Sequence, residues 1–412
     1  RRITNINYNN VVKKLLSQGF TLQPTLNMLR IFNQYSDPRT GAVKMSNLRT
    51  EIEGLGNISK YCKTNTLSEN TIFEQKTYFN IGSKTIYPIN MDDFNFRVSM
   101  QLEKRLNERA PLVSSIIDNW NDNKKTFRYI SRNTLTHYIP EYKMSDSGVL
   151  DSTETYEIEI ELDNEKIIKI LEIADDPNIL LYISKSIKKG IKFVLSGLQE
   201  TNYPVSYDEQ DNVIQEYMKI LWKDSYKPGM RVYPKNFVGP SQYTLQMQNV
   251  VPVSDDVELP NIRKNYTVTE KADGDRKLMI IDKKGKVYLI NTNMNVQFTG
   301  AKTNQESLYN TIMDGEHILH DKTGKFINLY AAFDVYYINK RDVRALGFVP
   351  TAPDEVQTNF RYPLLVNIIK SLNLKSVINN GLSPIRVKEK SFYADSKSQS
   401  IFQACNTILS ME

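Results

Sequence analysis

Glutamates recur at alternate positions in two short stretches, Arg49-Thr50-Glu51-Ile52-Glu53 and Tyr156-Glu157-Ile158-Glu159-Ile160-Glu161-Leu162. On a β-strand, side chains at i, i+2 and i+4 share a face. Glu51 and Glu53 therefore point together, as do Glu157, Glu159 and Glu161, with isoleucines turned the other way toward a core. Rows of like charge repel, and strands disfavour glutamate. A single Glu-x-Glu is commonly the wet face of an ordinary sheet, whereas a triple asks for a counter-charge. Mg²⁺ or Mn²⁺ would supply it, since both bind through carboxylate oxygens. Basic residues also fall at strand spacing. Phe94–Met100 puts Arg97 beside Ser99, and the stretch 124–132 puts Lys124, Arg128 and Arg132 on one face. Guanidinium groups grip phosphate oxygens bidentately. With a metal, they would stabilise charge on a transferring phosphoryl group and place an attacking water.

A different chemistry is available at Lys271-Ala272-Asp273-Gly274-Asp275-Arg276. A neutral lysine amine can attack an α-phosphate and form a phosphoramidate. Gly274 permits a tight turn, and Arg276 could hydrogen-bond ribose or phosphate. Lys-x-Asp-Gly is by itself a common surface turn. Its context is Asp314-Gly315-Glu316 after apolar Ile312-Met313, and Phe333-Asp334-Val335-Tyr336-Tyr337 further on.

Positioning these groups requires two layers of structure. The apolar stripe Val11, Val12, Leu15 and Leu16 predicts an N-terminal helix ending at Gly19. Short period-2 runs then predict strands at Leu48–Glu53, Phe94–Leu102, Thr126–Arg132 and Tyr156–Leu162, interrupted by a helix near Pro111–Trp120. Residues 177–199 switch to helical spacing, with Lys185, Lys188, Lys189 and Lys192 crowding one side, which reads as a solvated face on a packed helix. A further helix is expected at Asp211–Trp222. Lys227-Pro228-Gly229 marks the domain boundary, so the expected domains are 1–228 and 229–412. The second is predicted to hold strands at Asn265–Thr269, Lys277–Asp282, Lys286–Asn291, Thr311–Asp314, Leu329–Tyr337 and Ile385–Glu389, and a helix at Pro363–Leu372.

Composition bounds the chemistry. The chain has 412 residues, 53 basic against 47 acidic, a net +6 that permits a polyanionic partner without requiring one. Two cysteines and three histidines exclude a disulfide framework and a cysteine- or histidine-rich metal centre. No apolar run approaches the roughly 18 residues of a membrane span, so no membrane partner is expected.

The two glutamate strands with arginine strands between them resemble the triphosphate tunnel metalloenzymes, specifically the metal-dependent RNA 5′-triphosphatases, over roughly residues 20–225. The resemblance implies an eight-stranded antiparallel tunnel. It also implies a Mg²⁺ or Mn²⁺ centre on Glu51, Glu53, Glu157, Glu159 and Glu161, with Arg97, Arg128 and Arg132 holding the substrate triphosphate. The lysine motif and its companions are similar to the covalent nucleotidyltransferase superfamily of mRNA capping guanylyltransferases and ATP-dependent polynucleotide ligases. That resemblance implies an α+β domain with Lys271 as the nucleotidylated nucleophile, Arg276 and Glu316 on the ribose, and Phe333 on the purine. Asp273 would complete the nucleotide site. Family members carry two further motifs that are not found before Glu412, so the chain is expected to stop inside this domain. A triphosphatase ahead of a guanylyltransferase resembles the capping enzymes of large cytoplasmic DNA viruses of the mimivirus kind. The expected substrates are then GTP and 5′-triphosphate RNA, in the host cytoplasm or the virion, with a methyltransferase domain or subunit downstream. Two alternatives stay open: a polynucleotide ligase with an unrelated N-terminal domain, and a non-catalytic RNA-end-binding subunit.

Overall fold

The computed structural model describes residues 2–36, 43–136, 140–148, 154–162, 167–169, 178–252, 260–350, 354–394 and 400–411. The chain divides into two compact units, Arg1–Glu200 and Thr201–Glu412, each mixing helix and sheet. This α+β character is the expected one. The division falls earlier than Pro228-Gly229, because the helix Tyr207–Trp222 packs with the second unit. Its Val213, Ile214, Tyr217 and Met218 join one core with Leu278, Ile280 and Tyr288.

Twelve strands belong to the first unit. They are β1 (Thr21–Leu22), β2 (Leu26–Ser36), β3 (Val43–Glu53), β4 (Ile72–Tyr78), β5 (Asn80–Ile81), β6 (Lys84–Thr85), β7 (Ile89–Met91), β8 (Phe96–Val98), β9 (Gln101–Leu106), β10 (Lys125–Thr136), β11 (Pro140–Gly148) and β12 (Thr155–Leu162). Eight form an antiparallel sheet in the order β12-β11-β10-β2-β3-β4-β9, with β1 added against β10. Among the described pairings the sheet is open, with β12 and β9 at its two ends.

One face of this sheet is apolar and covered. Leu29, Ile31, Leu48, Ile52 and Phe73 pack against Ile58 and Tyr61 of the helix Leu55–Thr64 and Val113 and Ile116 of the helix Pro111–Asp118. Pro111 opens the latter, where its missing N–H costs nothing. Nearer β12, Tyr156, Ile158, Ile160 and Leu135 meet Tyr8, Val11 and Leu15 of the helix Asn5–Ser17 and Val194 of the helix Ile179–Gln199. Fully burying each such side chain contributes roughly 1.5–3 kcal/mol, so these helices hold the sheet in shape for whatever its other face does.

The second unit adds β13 (Thr267–Val268), β14 (Asp275–Ile281), β15 (Lys286–Asn291), β16 (Val296–Lys302), β17 (Thr311–His320), β18 (Phe326–Ile338), β19 (Arg341–Asp342), β20 (Lys375–Ser376), β21 (Arg386–Glu389) and β22 (Tyr393–Ala394). The main sheet runs β19-β18-β17-β14-β15-β16-β20, and β21 joins β18 in parallel. Both faces are covered. Leu278 and Ile280 pack toward Tyr207–Trp222, while Met279 and Ile281 pack toward Leu365 and Ile368 of the helix Arg361–Ser371. Burial on both sides explains why β14 and β15 read as continuous apolar runs. No helix among the described residues is long and apolar enough to cross a membrane.

Candidate functional site

Lys271 lies exposed in the loop between β13 and β14. β14 pairs with β17 so that Arg276 stands opposite Glu316 and Leu278 opposite Asp314. Glu316 is where the charges converge. Burial raises its pKa, Asp273 adds to that, and Lys390, Lys271 and Arg276 act against it. Its Oε2 is buried without a hydrogen-bond partner among the described residues. The structure thus brings Lys271, Asp273, Arg276 and Glu316 into one electrostatic neighbourhood.

Arg276 is clamped. Its Nε and Nη2 donate to Asp314 at 3.2 and 2.6 Å, and its Nη1 donates to the Pro240 carbonyl at 2.7 Å. Phe237 and Phe333 lie 5.3 and 5.8 Å from the guanidinium, within cation–π range. Burial alone would lower the Arg276 pKa, and the hydrogen bonds and charge of Asp314 outweigh it. Asp314 is fully buried and also accepts from the Tyr336 hydroxyl at 2.7 Å. Above the pair runs Phe237-Val238-Gly239-Pro240. A Cβ at Gly239 would collide with the Arg276 guanidinium and the Asp314 carboxylate. Tyr217 secures this stretch, donating to the Asn236 carbonyl at 2.6 Å and accepting from the Val238 N–H at 2.9 Å.

Lys390 completes the site from a distant part of the chain. It follows β21, its N–H donates to the Ala332 carbonyl at 2.8 Å, and only 7% of it is exposed. Burial lowers its pKa and Lys271 adds to that, while Glu316 and Glu270 oppose it. Sequence reasoning missed Lys390, although Arg386, Lys388 and Lys390 alternate along one strand direction. A neighbouring chain braces the sheet. Lys277 Nζ donates to Gln297 at 2.9 Å and lies 3.1 Å from His317 Nδ1. With Nδ1 as acceptor, His317 Nε2 donates to Asn328 at 2.7 Å. Burial, then the Lys277 charge, lowers the His317 pKa to about 4.

In the first unit the sheet face opposite those helices carries the charges. The register aligns Arg128, Arg30 and Glu51 across β10, β2 and β3, and Arg49, Glu74 and Arg105 across β3, β4 and β9. Arg30 Nε meets Glu51 at 2.6 Å, and Glu51 is only 5% exposed. Arg49 lies 3.6 Å from Glu74 and 3.5 Å from Glu103, which also meets Lys76 at 2.7 Å. Arg128 meets Glu157 at 2.6 Å. Burial raises the pKa of Glu74, and Glu103 and Glu51 add to it; burial and then Arg30 lower that of Arg49. Arg132 Nε is buried with no hydrogen-bond partner among the described residues.

The five glutamates are not gathered into one centre. Glu51 and Glu53 on β3 are separated from Glu157, Glu159 and Glu161 on β12 by the strands β2, β10 and β11. Among the described residues no group of three His, Cys, Asp or Glu could hold a metal ion. The donors are hard carboxylates of the right chemistry for Mg²⁺ or Mn²⁺. Arg30 and Arg128 supply counter-charge to Glu51 and Glu157. Arg97 is also displaced: it lies exposed on β8, in a two-stranded hairpin with β7 outside the main sheet.

Residues 227–410 match the family described as mRNA capping enzyme, catalytic domain. Over 189 residues the chain is 29% identical to a probable mRNA-capping enzyme of Acanthamoeba polyphaga mimivirus, a match spanning 46% of this chain. It spans only 13% of that relative. Two structures of the S. pombe Pct1 RNA triphosphatase, one in complex with the Spt5 CTD, align with 47% of this chain and 69% of theirs. At 10% identity and TM-scores of 0.31 and 0.29, that likeness carries no weight for the fold. The second unit is therefore similar, over most of its length, to the catalytic domain of capping enzymes.

Proposed function

We propose that the second unit transfers GMP in mRNA capping. The Lys271 amine, once neutral, attacks the α-phosphate of GTP. An N–P bond forms, the α–β phosphoanhydride bond breaks, and pyrophosphate leaves. GMP then passes from Lys271 to a diphosphate RNA end, which restores the lysine. The observation that carries this reading is the convergence of Lys271, Asp273, Arg276, Lys390 and Glu316, inside the span that matches the capping family. Lys390 places a buried amine beside Glu316 and Lys271, suited to charge on a phosphate. The Asp314–Tyr336–Pro240 clamp holds Arg276 without rotamer freedom, with Phe333 against it as an aromatic wall. The test is incubation of the full chain with α-labelled GTP or ATP. A labelled adduct with GTP, absent in Lys271→Ala, is expected. Labelling by ATP alone would replace this reading with a ligase, and no labelling of folded protein by either nucleotide would overturn both.

A second activity is favoured by the charged face of the first unit. There Arg30, Arg49, Arg128 and Arg132 line one side of the sheet, and the Arg132 Nε–H is a buried donor with no acceptor among the described residues. This is a surface for a 5′-triphosphate, and release of its γ-phosphate would supply the diphosphate end that guanylyl transfer consumes. Closure of the sheet into a tunnel and a requirement for Mg²⁺ or Mn²⁺ belong to this reading. It is tested by phosphate release from 5′-triphosphate RNA with each metal, and with Glu51→Ala and Glu159→Ala. Triphosphate RNA bound tightly but never hydrolysed would make the unit an RNA-end-binding module instead.

A further inference from the structure

The helices Asn5–Ser17 and Ile179–Gln199 lie side by side, so close that a Cβ on Gly197 would come 2.6 Å from the Val11 backbone. Val11, Leu15 and Val194 turn inward onto the apolar face of the sheet. These helices therefore sit on the side away from the charged face. Between them they hold Lys13, Lys14, Lys185, Lys188, Lys189 and Lys192, and neither contains an aspartate or a glutamate. Without these six, the 53 basic residues of the chain would not exceed its 47 acidic ones.

Lys185, Lys188, Lys189 and Lys192 stand at i, i+3, i+4 and i+7, which puts them on one helix face. They and Lys13 are exposed, and none has a carboxylate within ion-pair distance among the described residues. Lys14 shows that the two helices feel one another, its pKa lowered by burial and then by the charge of Lys192. An ordinary solvated face intersperses both signs. Five exposed lysines with no carboxylate at ion-pair distance among the described residues make a repulsive surface that a polyanion relieves.

We propose that this lysine face binds the sugar-phosphate backbone of RNA, independently of sequence. The choice of RNA among polyanions rests on the capping reading. Val194 and Leu195, on the half of the helix that carries the four lysines, are already buried, whereas Leu180, Leu181 and Tyr182 at its start are exposed. Lipid, which an interfacial helix enters by its apolar face, is therefore the competing ligand that the vesicle arm below tests. The lysines span about 10 Å of helix with neighbours roughly 5–6 Å apart, a reach that covers successive phosphates.

The experiment uses the full chain and a 5′-hydroxyl RNA of about twenty nucleotides, read by fluorescence anisotropy across a salt series. Replacing Lys185, Lys188, Lys189 and Lys192 together by glutamine should weaken binding roughly tenfold or more, and should flatten the slope of log K against log salt by about 3. Lys13→Gln with Lys14→Gln, on the other helix, should flatten it by about 1.4. GMP adduct formation from GTP alone should be unchanged in both variants. Unaltered affinity and slope in both would overturn the inference. So would lysine-dependent binding to phosphatidylserine vesicles without lysine-dependent binding to RNA. If no adduct forms in any of the proteins while RNA binding still falls, the capping reading fails and the lysine face stands.

Discussion

The two units handle charge in opposite ways. In the first, arginines and glutamates lie in rows on a sheet face, many half-exposed, as with Arg128 and Glu157 at 34% and 47% side-chain exposure. In the second, one carboxylate with no exposure, Asp314, takes a bidentate arginine and a tyrosine hydroxyl at once. A row of surface pairs can be rearranged by an incoming anion at little cost. A buried clamp cannot, because loss of one partner strands the other in low dielectric. The difference separates pairs that can exchange partners from a frame that holds its groups still.

Breaking the clamp should have the largest effect. Asp314→Asn removes the charge opposite Arg276 and should cost about 3–5 kcal/mol of unfolding free energy, measured by urea denaturation. A loss below about 1 kcal/mol would mean that water replaces the pair. The next effect belongs to pH. Folded His317 stays neutral down to about pH 4, whereas an unfolded imidazole takes its proton near 6.5. The unfolded state thus binds more protons in that window. Stability is full above pH 6.5 and falls by roughly 3 kcal/mol toward pH 4. His317→Gln should lose less stability than the wild type between those limits; parallel losses would dismiss His317 as the cause.

The same comparison can be drawn inside the first unit. Glu51→Gln, at a pair 7% and 11% side-chain exposed, should cost about 1–3 kcal/mol. The smallest effect is expected for Arg128 and Glu157. A double-mutant cycle there should give a coupling below about 1 kcal/mol that shrinks further in salt. A coupling as large as that of Glu51 with Arg30 would erase the distinction between the buried pair and the exposed one.

What was legible in the sequence follows from how local its cause is. The strands β12, β14 and β15 and the helix Tyr207–Trp222 announce themselves through alternation or helical spacing. The strand Leu26–Ser36 does not, because buried Asn33 continues the inward series of Leu29 and Ile31 with a polar side chain. The helix Leu55–Thr64 is masked by Gly54 and Gly56 at its start and by a Leu55 that is 60% exposed. At the site, Lys271, Asp273, Arg276, Glu316 and Phe333 were readable as local motifs. Asp314 as a clamp, Gly239 as the space above it and Lys390 as a neighbour were not. Each depends on a strand register or a crossover that joins distant segments. The arginine partners of Glu51 and Glu157 were hidden for a related reason: alternation shows which residues share a face, but not which strands are neighbours.

The parallel docking of β21 on β18 also sets a timetable. Parallel pairings form slowly, since the loop entropy of the crossover must be met before any contact rewards it. At roughly 5–20 residues per second of synthesis, the β17–β18 hairpin emerges several seconds before Lys390. During that interval Ala331 and Ala332 present an open strand edge, the kind of edge that a foreign strand can join. The surroundings of Lys390 are thus among the last parts of its unit to assemble, at a stage when a nascent chain is exposed to misassociation.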